Sequence, residues 1–192
     1  EIVILANETS SPEFVAWDLM AQAEHDEDAS SILISSSDEV IQEVKEIVKK
    51  ECPNLERAMI IQSSLKNNGL IVTVDNLEQA IDLINRLAPE HLHLAFEGHE
   101  IDVNDLVAGI ILEGADSAVS LSDYVLGPSH ILPTNSSSRF SSPLSVEDFL
   151  TSSSKVSIKS EFNKDLYNEL VNKTSIIARA EGLTAHAISA EK

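Results

Sequence analysis

Short runs of β-branched and aliphatic residues recur at residues 2 to 6, 31 to 35, 70 to 74, 92 to 96 and 109 to 112, and stretches with apolar residues every three to four positions separate most of them. That alternation predicts an α/β sheet, largely parallel, with helices packed on it. The first helical stretch carries a capping box at Ser10 and Glu13 with Pro12 in its first turn. Val15, Leu19 and Gln22 share one stripe of it, so an amide stands where the period asks for an apolar side chain. A second helix opens at Ser36 with Glu39 three positions on, and a third follows Pro53, from about Asn54 to Lys66. From Asp75 to Ala88 the capping pattern returns with Asp75 and Glu78, with Leu77, Ile81 and Ile84 as the buried stripe and Pro89 as the stop. Between Ser117 and Ser154 the chain turns rich in Ser, Pro and Thr and loses its period, which predicts a long functional loop or a linker. A last amphipathic helix, roughly Glu161 to Ala180 with Phe162, Leu166 and Leu170 on one face, leads into Glu181-Gly182-Leu183-Thr184-Ala185-His186. The expected organisation is an incomplete Rossmann-like sheet over residues 1–150, flanked by helices, with a small helical appendage over 151–192.

Composition narrows the class of partner. Thirteen basic against thirty-two acidic side chains give a formal net charge of -19, which repels phosphate backbones and anionic lipid surfaces. Cys52 is the only cysteine, so neither an internal disulfide nor a thiolate metal cluster can form within one chain, and a reducing, cytoplasmic setting is expected. No apolar run approaches the ~20 residues that span a bilayer. The chain begins inside a strand-like run without an initiator Met, which reads as a piece of something longer.

Two Glu-His dipeptides carry the chemistry most open to inference. Glu24-His25 and Glu90-His91 each stand where a helix gives way to a strand, so parallel strands would bring both to one sheet edge, the N-terminal one. Gln22 and His25, three apart, emerge from the same side of a helix end. They can offer an amide oxygen and an imidazole nitrogen to one ion, or serve as a satisfied core amide and a polar helix-end residue. Pro89 fixes where Glu90 and His91 emerge; an imidazole that titrates near neutrality beside a carboxylate suits proton transfer, and a plain surface loop is the alternative. His93, two residues on, is assigned to the opposite face from His91 and to a structural role. Asp123 and His130 lie in a turn-rich stretch stiffened by Pro128 and Pro133, where an Asp is ordinarily a cap. Arg139 and Phe140 have no local partner.

In this order, Gln22-Ala23-Glu24-His25-Asp26, Pro89-Glu90-His91-Leu92, Asp123-Tyr124 with Gly127-Pro128-Ser129-His130-Ile131-Leu132-Pro133-Thr134, Phe140-Ser141-Ser142-Pro143-Leu144-Ser145 and Leu183-Thr184-Ala185-His186 closely resemble the histidinol dehydrogenase family, over the C-terminal half of a family member. The resemblance implies oxidation of L-histidinol through L-histidinal to L-histidine with two molecules of NAD, in histidine biosynthesis. By it, Gln22, His25, Asp123 and His186 would bind one zinc ion. Glu90 and His91 match the acid/base pair, His91 taking the alcohol proton and Glu90 activating the attacking water. Gln22, His25, His91, Asp123, His130, Glu181 and His186 would surround the substrate. In the family the equivalents of His186 and Glu181 come from the partner subunit of a homodimer. The NAD-binding half and a substrate-contacting Ser would lie upstream of this chain. Three readings follow: the C-terminal half of that dehydrogenase, a catalytically silent zinc-binding and dimerisation fragment of it, or an unrelated α/β binding module.

Overall fold

Five strands form one sheet: β1 (Ile2–Ala6), β2 (Ser31–Ser35), β3 (Gly69–Thr73), β4 (His91–Leu94) and β5 (Ile110–Glu113). All pair in parallel, in the order β3-β2-β1-β4-β5. The computed structural model describes residues 1–98, 101–159 and 161–192. β1 is central and buried at all five positions, because both faces of a parallel sheet are covered; its sequence is accordingly a continuous apolar run, without alternation.

Two cores sandwich the sheet. On one face Ile2, Ile4 and Leu33 meet Val15 and Leu19 of α1 (Pro12–Ala23) and Val40, Ile41 and Val44 of α2 (Asp38–Glu51). On the other, Val3, Leu5, Ile34, Leu92 and Leu94 meet Ala80 and Ile84 of α4 (Leu77–Leu87). Between α2 and β3, Cys52, Pro53 and Asn54 make a 3-10 turn and α3 (Ala58–Asn68) follows. Ile61 of α3 and Cys52 pack on Met20 and Ala23 at the end of α1.

The chain divides into two units, Glu1–Phe149 and Leu150–Lys192. The second unit is a hairpin of α6 (Lys164–Ala180) and α7 (Thr184–Glu191), turned at Gly182 with φ +78°. The Arg179 guanidinium holds the Glu191 carboxylate at 2.8 Å, and the Ser175 hydroxyl donates to it at 2.5 Å. No helix among the described residues is long and apolar enough to cross a membrane.

Several elements depart from the sequence-based expectation in instructive ways. Ser11, not Ser10, caps α1 by accepting from Phe14 N–H, while the Ser10 hydroxyl accepts from Asn7 N–H. Ser37, rather than Ser36, caps α2. At α4 the cap is Asn76, accepting from Gln79 N–H at 3.0 Å, while Gln79 Oε1 returns to Asp75 N–H at 3.1 Å. The box is therefore displaced by one residue, and each residue turns a helix by ~100°. Ala80, not Leu77, enters the core beside Ile84, and Leu77 is 40% exposed. Asn163 caps α6 and leaves Phe162 outside the helix.

The displaced box gives a direct test. Asn76→Ala is expected to lower stability by about 1 kcal/mol, as loss of a cap does. Asp75→Ala, which keeps the backbone donor, should change it by less than about 0.5 kcal/mol in urea unfolding. In the second unit, the Ser175 and then the Arg179 hydrogen bonds hold the Glu191 carboxyl below its ordinary value of 4.5. Its contribution is thus complete above that value and is lost as pH falls through the lowered one. The protection of the α7 amides, corrected for the intrinsic slowing of exchange with falling pH, is expected to drop as pH falls below the ordinary value and, in Glu191→Gln, already at neutral pH; equal protection throughout would show that something else holds α7.

Candidate active site

Parallel connections return each strand's successor to the starting edge, and that edge gathers the candidate residues. Gln22 lies in the last turn of α1, and His25 follows two residues past its end, its N–H donating to the Gln22 carbonyl at 3.2 Å. His91 opens β4 opposite Ile2 of β1. Asp123 and Tyr124 end a short helix, α5 (Val119–Tyr124), that runs back from the end of β5. Gln22, His25, Glu90, His91, Asp123, Tyr124 and His130 line one cavity of about 500 Å³. It adjoins a second, of about 400 Å³, that shares Gln22, His25, Asp123 and Tyr124 and adds Glu24 and Arg57. The site therefore occupies the N-terminal edge of the sheet, opposite the usual ligand edge of open α/β folds.

His91 is 5% exposed, with Nδ1 3.3 Å from the Glu1 carbonyl and Nε2 3.3 Å from Asp123 Oδ1. Glu90 Oε2 lies 3.9 Å from His91 Nδ1 and accepts from the Glu1 amine at 2.8 Å. Gln22 is 8% exposed, yet its amide is not claimed by any hydrogen bond among the described residues, so it is available to the cavity. His25 is exposed and anchored through its backbone, whose carbonyl accepts from Arg57 at 3.4 Å. Among the described residues no three His, Cys, Asp or Glu side chains form a ready ion cage. The cavity lining instead combines three imidazoles, two carboxylates and one amide, borderline and hard donors together. Glu181 and His186 belong to the second unit, at the end of α6 and within α7.

The loop bearing Glu90 is built as carefully as the site itself. Ala88 takes the left-handed conformation, φ 44°, at the end of α4, and Pro89 prevents further helix. The last carbonyls of α4 are then satisfied from the Ser-rich stretch. Arg139 donates to the carbonyls of Asn85 and Arg86, Ser136 to Leu87, and Ser138 to Pro89. Arg139 thus has partners, two of them distant in sequence and one, the Ser136 carbonyl at 3.5 Å, local. Gly109 donates to the Pro89 carbonyl at 2.9 Å, and the next residue, Ile110, to that of Glu90 at 2.9 Å.

Known proteins resemble the whole of this chain. The family model described as histidinol dehydrogenase matches residues 1–192. A histidinol dehydrogenase from Thiocapsa roseopersicina is 40% identical over 192 residues, covering all of this chain and 81% of that one. The chain belongs to the histidinol dehydrogenase family. The Methylococcus capsulatus histidinol dehydrogenase is 43% identical over 192 residues, all of this chain and 43% of that one, so the chain spans under half the length of such relatives. A crystal structure of histidinol dehydrogenase from Elizabethkingia anophelis superposes with a TM-score of 0.91 at 31% identity, covering 99% of this chain and 43% of that one.

The strand-based assignment of His93 to the face opposite His91 needs correction. Residues two apart on a strand share a face. His91 and His93 lie in register with Ile2 and Ile4, on the α1 side, while Leu92 and Leu94 face α4. The stretch from Ser117, expected to lack periodic structure, contains α5, hidden because six residues are too few to show a period. Arg57 borders the adjoining cavity without a local signature. Gly109 could be suspected only from its place before a strand. A Cβ there would stand 2.7 Å from the Glu90 carbonyl oxygen and 3.2 Å from Pro133. Gly109→Ala is expected to destabilise the chain by about 1–3 kcal/mol in denaturant unfolding, since the backbone of Glu90 must give way; stability equal to the parent would show that the two segments separate freely.

Proposed function

We propose that this chain supplies the metal-binding and proton-transfer groups of an enzyme that oxidises L-histidinol through L-histidinal to L-histidine with two molecules of NAD. One observation carries the reading: Gln22, His25, Glu90, His91, Asp123 and His130, the residues that matched the family's motifs in the sequence, line one cavity. Zinc would suit these donors: Gln22, His25 and Asp123 of the first unit would hold it, with His186, given across a homodimer with Glu181, as the further ligand. When bound, zinc supplies a positive centre that orients an amino alcohol through its nitrogens.

The chain's own groups then define the proton path. In the tautomer with the proton on Nδ1, where the Glu1 carbonyl accepts it, Nε2 carries the lone pair that takes the proton of the substrate alcohol as its carbinol hydride departs to NAD. Once protonated, Nε2–H donates to Asp123 Oδ1, 3.3 Å away. For the second oxidation Glu90 takes a proton from water as the oxygen adds to the aldehyde carbon, and the imidazolium of His91 returns its proton to the aldehyde oxygen, so that the hydrate forms and His91 is neutral again. The hydrated aldehyde then loses its hydride to the second NAD, with His91 again taking the hydroxyl proton. NAD is assigned to the part of the longer relatives that this chain does not cover.

Co-expressed with the N-terminal part of a relative, the chain is expected to form NADH from histidinol. His91→Asn should slow both oxidations by about a hundredfold or more at unchanged zinc content. Asp123→Ala or His25→Ala should strip the zinc. An unchanged rate in His91→Asn removes the assigned base, and a folded, zinc-loaded pair that makes no NADH leaves only the zinc-binding and dimerisation reading.

A further inference from the structure

β4 carries a second imidazole that the proposed chemistry does not use. His93 is 1% exposed, with Nδ1 2.8 Å from Asp18 Oδ2 and Nε2 3.0 Å from the Gly114 carbonyl. Each ring nitrogen thus faces an oxygen, one of a carboxylate and one of a backbone carbonyl. Asp18 itself lies in the middle of α1, 5% exposed, one turn before Gln22. Its carboxylate also accepts from Val119 N–H, at 3.3 and 3.4 Å from its two oxygens.

Val119 is the first residue of α5, and its cap residue, Ala118, makes no side-chain hydrogen bond to the helix. A six-residue helix does not sustain itself. Asp18 therefore satisfies a donor that α5 exposes at its start, while Asp123 stands at the other end of the same helix. An apolar pair of similar volume would serve stability as well or better, so what a buried ionic pair adds is direction.

We infer that the buried Asp18–His93 pair is a positioning element: it docks α5 against α1 and β4 and so sets where Asp123 stands relative to His91, Gln22 and His25. α1 then carries both a lining residue, Gln22, and the anchor of the opposite wall, Asp18. β4 does the same with His91 and His93. The inference rests on the proposed function only for the meaning of the site; the docking of α5 does not depend on it.

Asp18→Asn keeps the shape and one acceptor oxygen, and Asp18→Ala removes both. Amide exchange over residues 119–124 is expected to quicken about tenfold in Asp18→Asn and further in Asp18→Ala, with β1 and β2 unchanged. The 15N signals of the His91 ring should shift at fixed pH as Asp123 moves. Ile84→Val, on the other face of the sheet, serves as the control for general destabilisation and should leave those signals in place. Unchanged α5 exchange in both Asp18 variants, exchange that rises evenly through the sheet as in Ile84→Val, or unmoved His91 signals would each overturn the inference. Zinc affinity, read by chelator competition, should fall about tenfold in Asp18→Asn. If the parent chain binds no zinc, the zinc reading fails by itself, and α5 exchange with the His91 signals still decides the positioning role.

Discussion

The parallel pairing of β1 with β4, Ile2 against His91, is the constraint on which the candidate site depends. It places the first residue of β4 beside the first turn of the sheet, where α1 also ends. The lengths agree: twelve helical residues rise about 18 Å, and five strand residues span about 17 Å, so α1 ends level with the start of β1. Gln22 and His91 meet because a helix and a strand of matched reach are antiparallel neighbours. α5 closes the third side by running back from β5, and only its attachment at Asp18 fixes how far it comes.

A second constraint acts on the backbone around Glu90. Four carbonyls at and beyond the end of α4 accept from Arg139, Ser136 and Ser138, and a cation near a helix C-terminus also complements the dipole there. The Ser-rich stretch is thus ordered by donating to a helix end, not by a period of its own. Its composition, suggestive of a linker, reflects the need for many short donors. Gly109 completes the arrangement by letting β5 begin against the Glu90 carbonyl without a Cβ between them.

The two imidazoles of β4 show how one strand can serve chemistry and architecture at once. His91 stands at the rim, between a carbonyl and Asp123; His93 lies one pleat deeper, between Asp18 and Gly114. Both contacts on the helix side are to carboxylates, one on α5 and one on α1. The sheet edge and its buried support therefore share an element, and displacement of either helix would be felt at the other. That a relative 31% identical keeps the fold with a TM-score of 0.91 is consistent with a geometry held by such buried contacts.

The sequence by itself determined the five strands to within two residues, the helices α1 to α4 and α6, and the N-terminal edge as the meeting place of both Glu-His pairs. It could do so because apolar periodicity and Pro89 are local signals of burial and chain direction. It also brought together Gln22, His25, Glu90, His91, Asp123 and His130 through motif order. Only the tertiary structure decided which residue caps each helix, that Asp123 rides on a helix at all, that His93 faces Asp18, and that Arg139 has partners at the end of α4. Each of these rests on hydrogen bonds between residues 50 to 100 positions apart, or on a one-residue displacement that turns a helix by ~100°. Neither leaves a mark on the local pattern of hydrophobic and polar positions, because the pattern records what is buried and not which donor meets which acceptor.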